Sequence, residues 1–377
     1  MPANSNNMPP STLTDAARPF RVLALDGGGM RGLYAATVLD TIARHFAVQR
    51  TTDGLDVGKG FDLITGTSTG GILATALAAG LPLAKVTSLY REDGPKIFTD
   101  PTPSGWARVA WMIRNLWKPA NTNQHLRATL EAFFGSETLA ALYKRRGVRL
   151  CIPTVKAGEQ VAKVFKTPHL ARLTRDGAYR LTEVCLATSA APIYLPLVDL
   201  PEPGRRDHSF TYADGGLWAN NPVLVGLVEA LEIVGTTGRA IEVLSVGTCP
   251  APEGDVIMPG NESMGLYQWQ AGIKIASLSL NAQASGHAFI AKLLADRLTA
   301  LGQPVRICRL DSAPRSAAQM QHMTLDGAGP ESLRALAQAG IQDGEAAIRR
   351  CDGGSTTLDA DGQMLASIFS DLPVIQG

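Results

Sequence analysis

Charge is scarce in this sequence: Asp, Glu, Lys and Arg make up 18% of its 377 residues, against about a quarter in an average globular chain. The balance is nearly even, at +1. Without a field of one sign to gather a polyanion, a nucleic acid polymer is excluded as the main partner. Cysteine is scarce as well. The five present (Cys151, Cys185, Cys249, Cys308 and Cys351) are odd in number, far apart and without a C-x-x-C pair. That excludes a disulfide framework and a zinc ribbon, and suits reduced, buried thiols in a cytoplasmic protein. There is no H-E-x-x-H, and no two of the six histidines stand at ligand spacing on one helix, so neither metal nor cofactor is expected.

No targeting segment is expected either. Residues 1–19 are polar, rich in Pro and Asn, and lack a basic residue before Arg18, so they read as a disordered tail. One uncharged run, Leu63 to Ala84, reaches the length of a membrane span. It carries Gly66, Gly70, Gly71, Gly80 and Pro82, and a buried strand, tight turn and buried helix explain it better.

What the chain has is apolar residues, 45% of the total, and therefore a large core. Arg21 to Leu25 reads as a strand that runs into Asp26-Gly27-Gly28-Gly29 and then an Ala-rich helix from about Leu33 to Val48. FDLIT, Gly66-Thr67-Ser68-Thr69-Gly70 and a helix Ile72 to Ala79 repeat that order. Two strand–turn–helix units in succession predict an α/β fold with a mostly parallel sheet and flanking helices. Further strands are expected at 149–155, 161–165, around 209–213, and at 241–247 and 304–310. Helices are expected at 222–234, about 264–301 and 330–350, with a loop-rich tail after Gly353.

G-x-S-x-G between a buried strand and a helix is the setting of a nucleophile elbow, which pushes Ser68 out at the strand's carboxyl end. The loop Gly27 to Gly32 contains G-x-G-x-x-G, so a dinucleotide site has to be weighed. Such a site wants an acid after the second strand, and there the sequence has the serine turn. The other reading is that the amides of Gly27, Gly28 and Gly29 face an oxyanion beside Ser68, with Arg31 tightening the loop or adding charge. For a base, the usual order of triad members points to His208, His287 or His322. Asp214, in Tyr212-Ala213-Asp214-Gly215-Gly216, is the alternative, because a partly buried carboxylate in reach of Ser68 can accept its proton.

The ordered set D-G-G-G-x-R-G at 26–32, G-T-S-T-G at 66–70 and D-G-G at 214–216 resembles the patatin-like phospholipase family, which works with a serine and aspartate dyad. Ala187 to Pro192 and Asn220-Asn221-Pro222 also look like family segments. The resemblance implies a three-layer patatin-like fold with a helical C-terminal extension, Ser68 as nucleophile, Asp214 as base and Gly27, Gly28, Gly29 and Arg31 as the oxyanion element. Gly32, Gly66, Gly70, Gly215 and Gly216 would be its motif turns. It implies a catalytic core at 20–250, a candidate regulatory region at 251–377 and a membrane phospholipid substrate. The size and C-terminal extension are similar to bacterial family members activated by cyclic GMP-AMP in anti-phage signalling. From these the expected activator is a cyclic dinucleotide, 3′,3′-cyclic GMP-AMP, acting on a cytoplasmic enzyme that meets the inner membrane and can form a homo-oligomer. No residue is identified as the effector site; Lys274, Lys292, Arg297 and Arg306 are basic residues available to its phosphates.

An aromatic helical insertion is expected near 91–134, where three of five tryptophans, Trp106, Trp111 and Trp117, fall within Gly105 to Lys118. On one helix, Trp106, Ala110, Ile113 and Trp117 share a face, and Arg108, Asn115 and Lys118 lie opposite. This fits a helix at a membrane interface, or one packed in the core. Arg145, Arg146 and Arg149, or Arg205 and Arg206, could assist on anionic lipid.

Overall fold

In the computed structural model the described residues are 18–103, 107–249, 263–265, 269, 273–352 and 359–375. Eight strands form one mixed sheet: β1 Phe20–Leu25, β2 Leu63–Gly66, β3 Arg149–Lys156, β4 Val161–Lys166, β5 Val198–Glu202, β6 Arg205–Asp214, β7 Ile241–Val246 and β8 Val305–Leu310. They stand in the order β5-β6-β3-β2-β1-β7-β8, with β4 paired to β3 outside this row. Pairing is parallel from β3 through β2, β1 and β7 to β8. It is antiparallel among β3, β4, β5 and β6.

Strand alternation builds three layers. On β1, Leu23 and Leu25 face a core formed with helix α1 (Gly32–Gln49), helix α2 (Thr69–Ala79) and the helices Leu181–Thr188, Pro330–Cys351 and Ala360–Ser370. Phe20, Val22 and Ala24 face the other side, against Val223–Val234 and Ile273–Ala300. Strands buried on both faces read as near-continuous apolar runs, as Val22–Leu25 of β1 does.

Several boundaries differ from the sequence reading. The edge strand β5 escapes it because VDLPE is short and contains Pro201, which an edge position tolerates. The tail after Gly353 holds the helix Ala360–Ser370, started by the Asp359 side chain on Gly362 N–H and docked through buried Met364, Leu365, Ile368 and Phe369. Pro222 precedes the helix Val223–Val234, whose Val223 N–H is capped by Asn221 Oδ1 at 3.0 Å. The C-terminal part is helical but also contributes β8 to the sheet. Among the described residues no helix is long and apolar enough to cross a membrane.

Candidate active site

The elbow forms where β2 stops at Gly66 and α2 begins at Thr69. Ser68 between them takes φ 55° and ψ −125°, a conformation that a non-glycine residue adopts only under constraint and that clusters at functional sites. The constraint is visible. Ser68 N–H donates to Thr188 Oγ1 at 3.0 Å, and Thr188 is held in turn by its own bond to the Pro153 carbonyl at 2.6 Å. Gly70 lets α2 press on β1: a Cβ there would stand 2.4 Å from the Asp26 carbonyl oxygen and 2.5 Å from that of Leu25. The N-terminus of α2 then directs its positive end toward the serine.

Strand β3 places the carboxylate. Its first residues pair with β2, as in Thr65 opposite Cys151, and its later ones pair with β6, as in Thr154 opposite Asp214. Once β2 turns away at the elbow, β6 takes up the same edge and ends at Asp214 beside Ser68. Ser68 Oγ donates to Asp214 Oδ2 at 2.6 Å, and Gly216 N–H donates to Oδ1 at 2.7 Å. Gly215 and Gly216 follow the strand and make the turn. Burial pushes the Asp214 carboxyl up to about 6, and the bonds from Ser68 and Gly216 hold it from rising further.

The glycine loop lies next door because β1 pairs with β2 up to Leu25 opposite Gly66. Here the three expected donors separate. Gly27 N–H is committed to the Asn220 carbonyl at 2.8 Å. Gly28 and Gly29 N–H have no acceptor among the described residues and line the same cavity as Ser68. Arg31 is buried and points away: Nη1 donates to the Cys249 carbonyl at 3.2 Å and Nε to the Gly28 carbonyl at 3.4 Å. It braces the loop from behind. Gly32 opens α1.

The cavity has a volume of about 170 Å³, and its lining is apolar apart from the dyad and a few hydroxyl, amide and backbone groups. None of the three histidines weighed as a base bonds the dyad. His208 lies 3.3 Å from Glu202, His287 Nδ1 sits 3.0 Å from the Asn221 carbonyl, and His322 lies 3.7 Å from Glu331. On the far side of the sheet, Cys151, His169 and Glu229 bring one donor atom each within 4.8 Å of one another. Glu229 is already closed on by Lys166 and by His169 Nε2 at 2.9 Å.

The tryptophan segment is divided. Trp106 lies outside the described residues, and the helix Ala107–Arg114 stops before Trp117. Trp111 is buried, with Nε1 on the Asp100 carbonyl at 3.3 Å. Ile113 and Trp117 are 69% and 91% exposed. The inward side is mixed, with Trp111 and half-buried Met112 beside Asn115, whose Nδ2 donates to Asp100 Oδ2 at 3.1 Å, and Arg108, whose Nε donates to the Pro103 carbonyl at 2.9 Å. The outward side exposes Val109 and Ile113 together with Arg114. Arg145 and Arg146 pair with Glu137 and Asp56, and Arg149 Nη1 donates to the Asp62 carbonyl at 3.2 Å, so all three are engaged by the fold.

Sequence reasoning missed what the C-terminal third does here. Arg309 Nη2 donates to Asp26 Oδ2 at 2.6 Å, Met30 N–H donates to the Leu325 carbonyl at 2.7 Å, and Asn220 N–H donates to Gln283 Oε1 at 2.9 Å. Ser277, Leu280 and Leu325 line the cavity. Of the basic residues weighed for an effector, Arg306 Nη1 donates to the Ala360 carbonyl at 3.0 Å, while Lys292 and Arg297 are exposed on the long helix.

Residues 23–227 match the family model described as patatin-like phospholipase. A protein named "cGAMP-activated phospholipase" from Vibrio cholerae serotype O1 is 33% identical over 339 residues, covering 85% of this chain and 89% of that one. One so named from Pseudomonas aeruginosa is 34% identical and covers 71% of this chain and 72% of that one. A third, from Escherichia coli (strain TW11681), is 37% identical over 60% of this chain, which spans 62% of its length. With that match over more than half its length, and with relatives of this similarity, the chain belongs to the patatin-like phospholipase family.

Proposed function

We propose that the chain is a serine acyl hydrolase of phospholipase A type that releases fatty acids from membrane glycerophospholipids through Ser68 and Asp214. The observation that carries this reading is the 2.6 Å bond from Ser68 Oγ to Asp214 Oδ2 inside an apolar cavity, with no histidine bonded to either among the described residues. Asp214 takes the hydroxyl proton as Ser68 Oγ attacks the ester carbonyl carbon. The oxyanion forms toward the free amides of Gly28 and Gly29. The proton passes to the leaving alcohol, the acyl group stays on Ser68, and water activated by the same carboxylate releases the fatty acid. Burial gives Asp214 the basicity this needs, since a carboxyl raised to about 6 is a better proton acceptor than an exposed one and is still ionised at neutral pH.

The relatives' printed names support a regulated form of this activity. The chain would stay inactive in the cytoplasm until 3′,3′-cyclic GMP-AMP or a related cyclic dinucleotide binds, and would then attack the bacterial inner membrane in anti-phage defence. Exposed Ile113 and Trp117 would meet the bilayer, as amphipathic side chains at an interface do. The region 251–377, which touches both the glycine loop and the cavity, would carry the control. Lipid-product mass spectrometry on purified protein across a panel of cyclic dinucleotides tests both parts. Free fatty acid and lysophospholipid should appear with 3′,3′-cyclic GMP-AMP and stay low without it. Full turnover in nucleotide-free protein removes the regulation, and labelling of Ser68 by a fluorophosphonate without any lipid product removes the substrate class.

A further inference from the structure

A second recess adjoins the active-site cavity. It is a groove of about 760 Å³ that runs from the 115–119 segment across the β3–β4 hairpin, within the usual size of ligand clefts. Pro192, Ile193, Leu195 and Leu217 line both recesses. The groove is lined by Ala213 and the cavity by Asp214, consecutive residues of β6.

Three observations say what it holds. Its walls are apolar and bear exposed Leu116, Trp117, Val161, Ile193, Leu197 and Leu217, a cluster larger than scattered surface residues make. Among the described residues Lys118 is the sole charged one of its lining, as Asp214 is of the cavity. The ridge between the recesses is built at a conformational cost: Ile193 sits at φ 77°, an outlier for a β-branched residue, held by Ala120 N–H on its carbonyl at 2.9 Å and by Asn121 N–H on that of Tyr194 at 3.0 Å. Strain of this kind persists where a ligand clamp needs it.

We propose that the groove is the subsite for the second acyl chain of a two-chain anionic lipid whose scissile chain fills the cavity. Two apolar recesses astride one ridge match two chains on one glycerol, and the lone Lys118 matches a single phosphate. The inference rests on the lipid hydrolase reading and narrows its substrate to diacyl over single-chain lipids.

The test is a binding measurement on the Ser68→Ala protein with 3′,3′-cyclic GMP-AMP present, using dihexanoyl phosphatidylglycerol and monohexanoyl lysophosphatidylglycerol below their micelle concentrations. No membrane is present, so membrane adsorption does not enter. Bringing a second chain out of water should make the diacyl lipid bind at least about tenfold tighter. Val161→Glu and Leu197→Glu, each at a surface position of the groove, should bring the ratio close to one. Equal affinity for the two lipids, or a ratio that both variants leave unchanged, overturns the proposal, and in the latter case the patch serves only to touch the bilayer or a partner protein. Turnover of the same lipids by the wild type reports separately on the Ser68–Asp214 reading.

Discussion

Arg309 grips Asp26 through two hydrogen bonds, Nη2 to Oδ2 at 2.6 Å and Nη1 to Oδ1 at 3.3 Å, across 283 positions of sequence. Asp26 opens the glycine loop, so a residue of the last strand fixes the root of the proposed oxyanion donors. Arg309→Leu leaves a buried carboxylate without its partner and should destabilise the fold by about 3–5 kcal/mol. Adding Asp26→Asn should recover most of the melting temperature but not kcat, because the loop stays untethered. Recovery of both would reduce Arg309 to a charge partner.

The position of Asp214 sets a pH dependence. With its carboxyl raised to about 6 by burial, kcat/KM on a soluble ester should be flat above pH 7 and fall about tenfold per unit below 6, as the base is protonated. Stability runs the other way. A carboxyl raised in the folded state binds its proton more tightly there than in the unfolded chain, so stability is full below about 4 and declines as pH rises through 6. Asp214→Asn should therefore be the more stable protein at pH 8, by up to about 3 kcal/mol, and lose that advantage near pH 4. Denaturant melts of both proteins at the two pH values measure it.

Gly29 is pinned by its neighbour in space. It has φ +56°, and a Cβ there would stand 2.1 Å from the Leu325 carbonyl oxygen. Gly29→Ala should displace that carbonyl, move an oxyanion donor and cut kcat by about a hundred- to a thousandfold, the usual cost of one lost donor. A folded variant with normal turnover would remove Gly29 from the chemistry.

Much of the site was legible because its parts are local. The elbow, the glycine loop and the D-G-G turn are each a short contiguous motif around one polar residue and can be read as such, although what their glycines make room for, Leu325 at Gly29 and Asp26 at Gly70, is set by the folded chain. The Arg309–Asp26 pair and the Leu325–Met30 bond were not legible. Nothing in the local sequence of either partner announces a contact made only by the completed sheet. The glycines marked the loop, but the claim of Asn220 on Gly27 N–H is a tertiary fact. The tryptophan periodicity assumed one helix through Trp117, whereas the helix stops at Arg114 and Trp111 turns inward with Nε1 on the Asp100 carbonyl.

Trp111 and Trp117 now separate two roles that the sequence left mixed. Trp111 is 3% exposed and Trp117 is 91% exposed. Trp111→Ala should cost about 3–5 kcal/mol of stability. Trp117→Ala should leave the melting temperature within about 1 °C, since exposed positions rarely shift stability, and should weaken binding to anionic vesicles. Vesicle binding unchanged in Trp117→Ala would place the membrane contact elsewhere.

In the proposed mechanism Ser68 and Asp214 act as one unit without a histidine. The most direct test is fatty acid release from phospholipid vesicles by the activated wild type, Ser68→Ala, Asp214→Ala and the double variant, each shown to be folded. Both single variants should lose about a thousandfold or more in kcat, and the double variant should be no worse than either, because residues that act as a unit are not additive. Asp214→Ala retaining a tenth or more of wild-type kcat, or losses that multiply in the double variant, would mean that the two residues do not form the dyad.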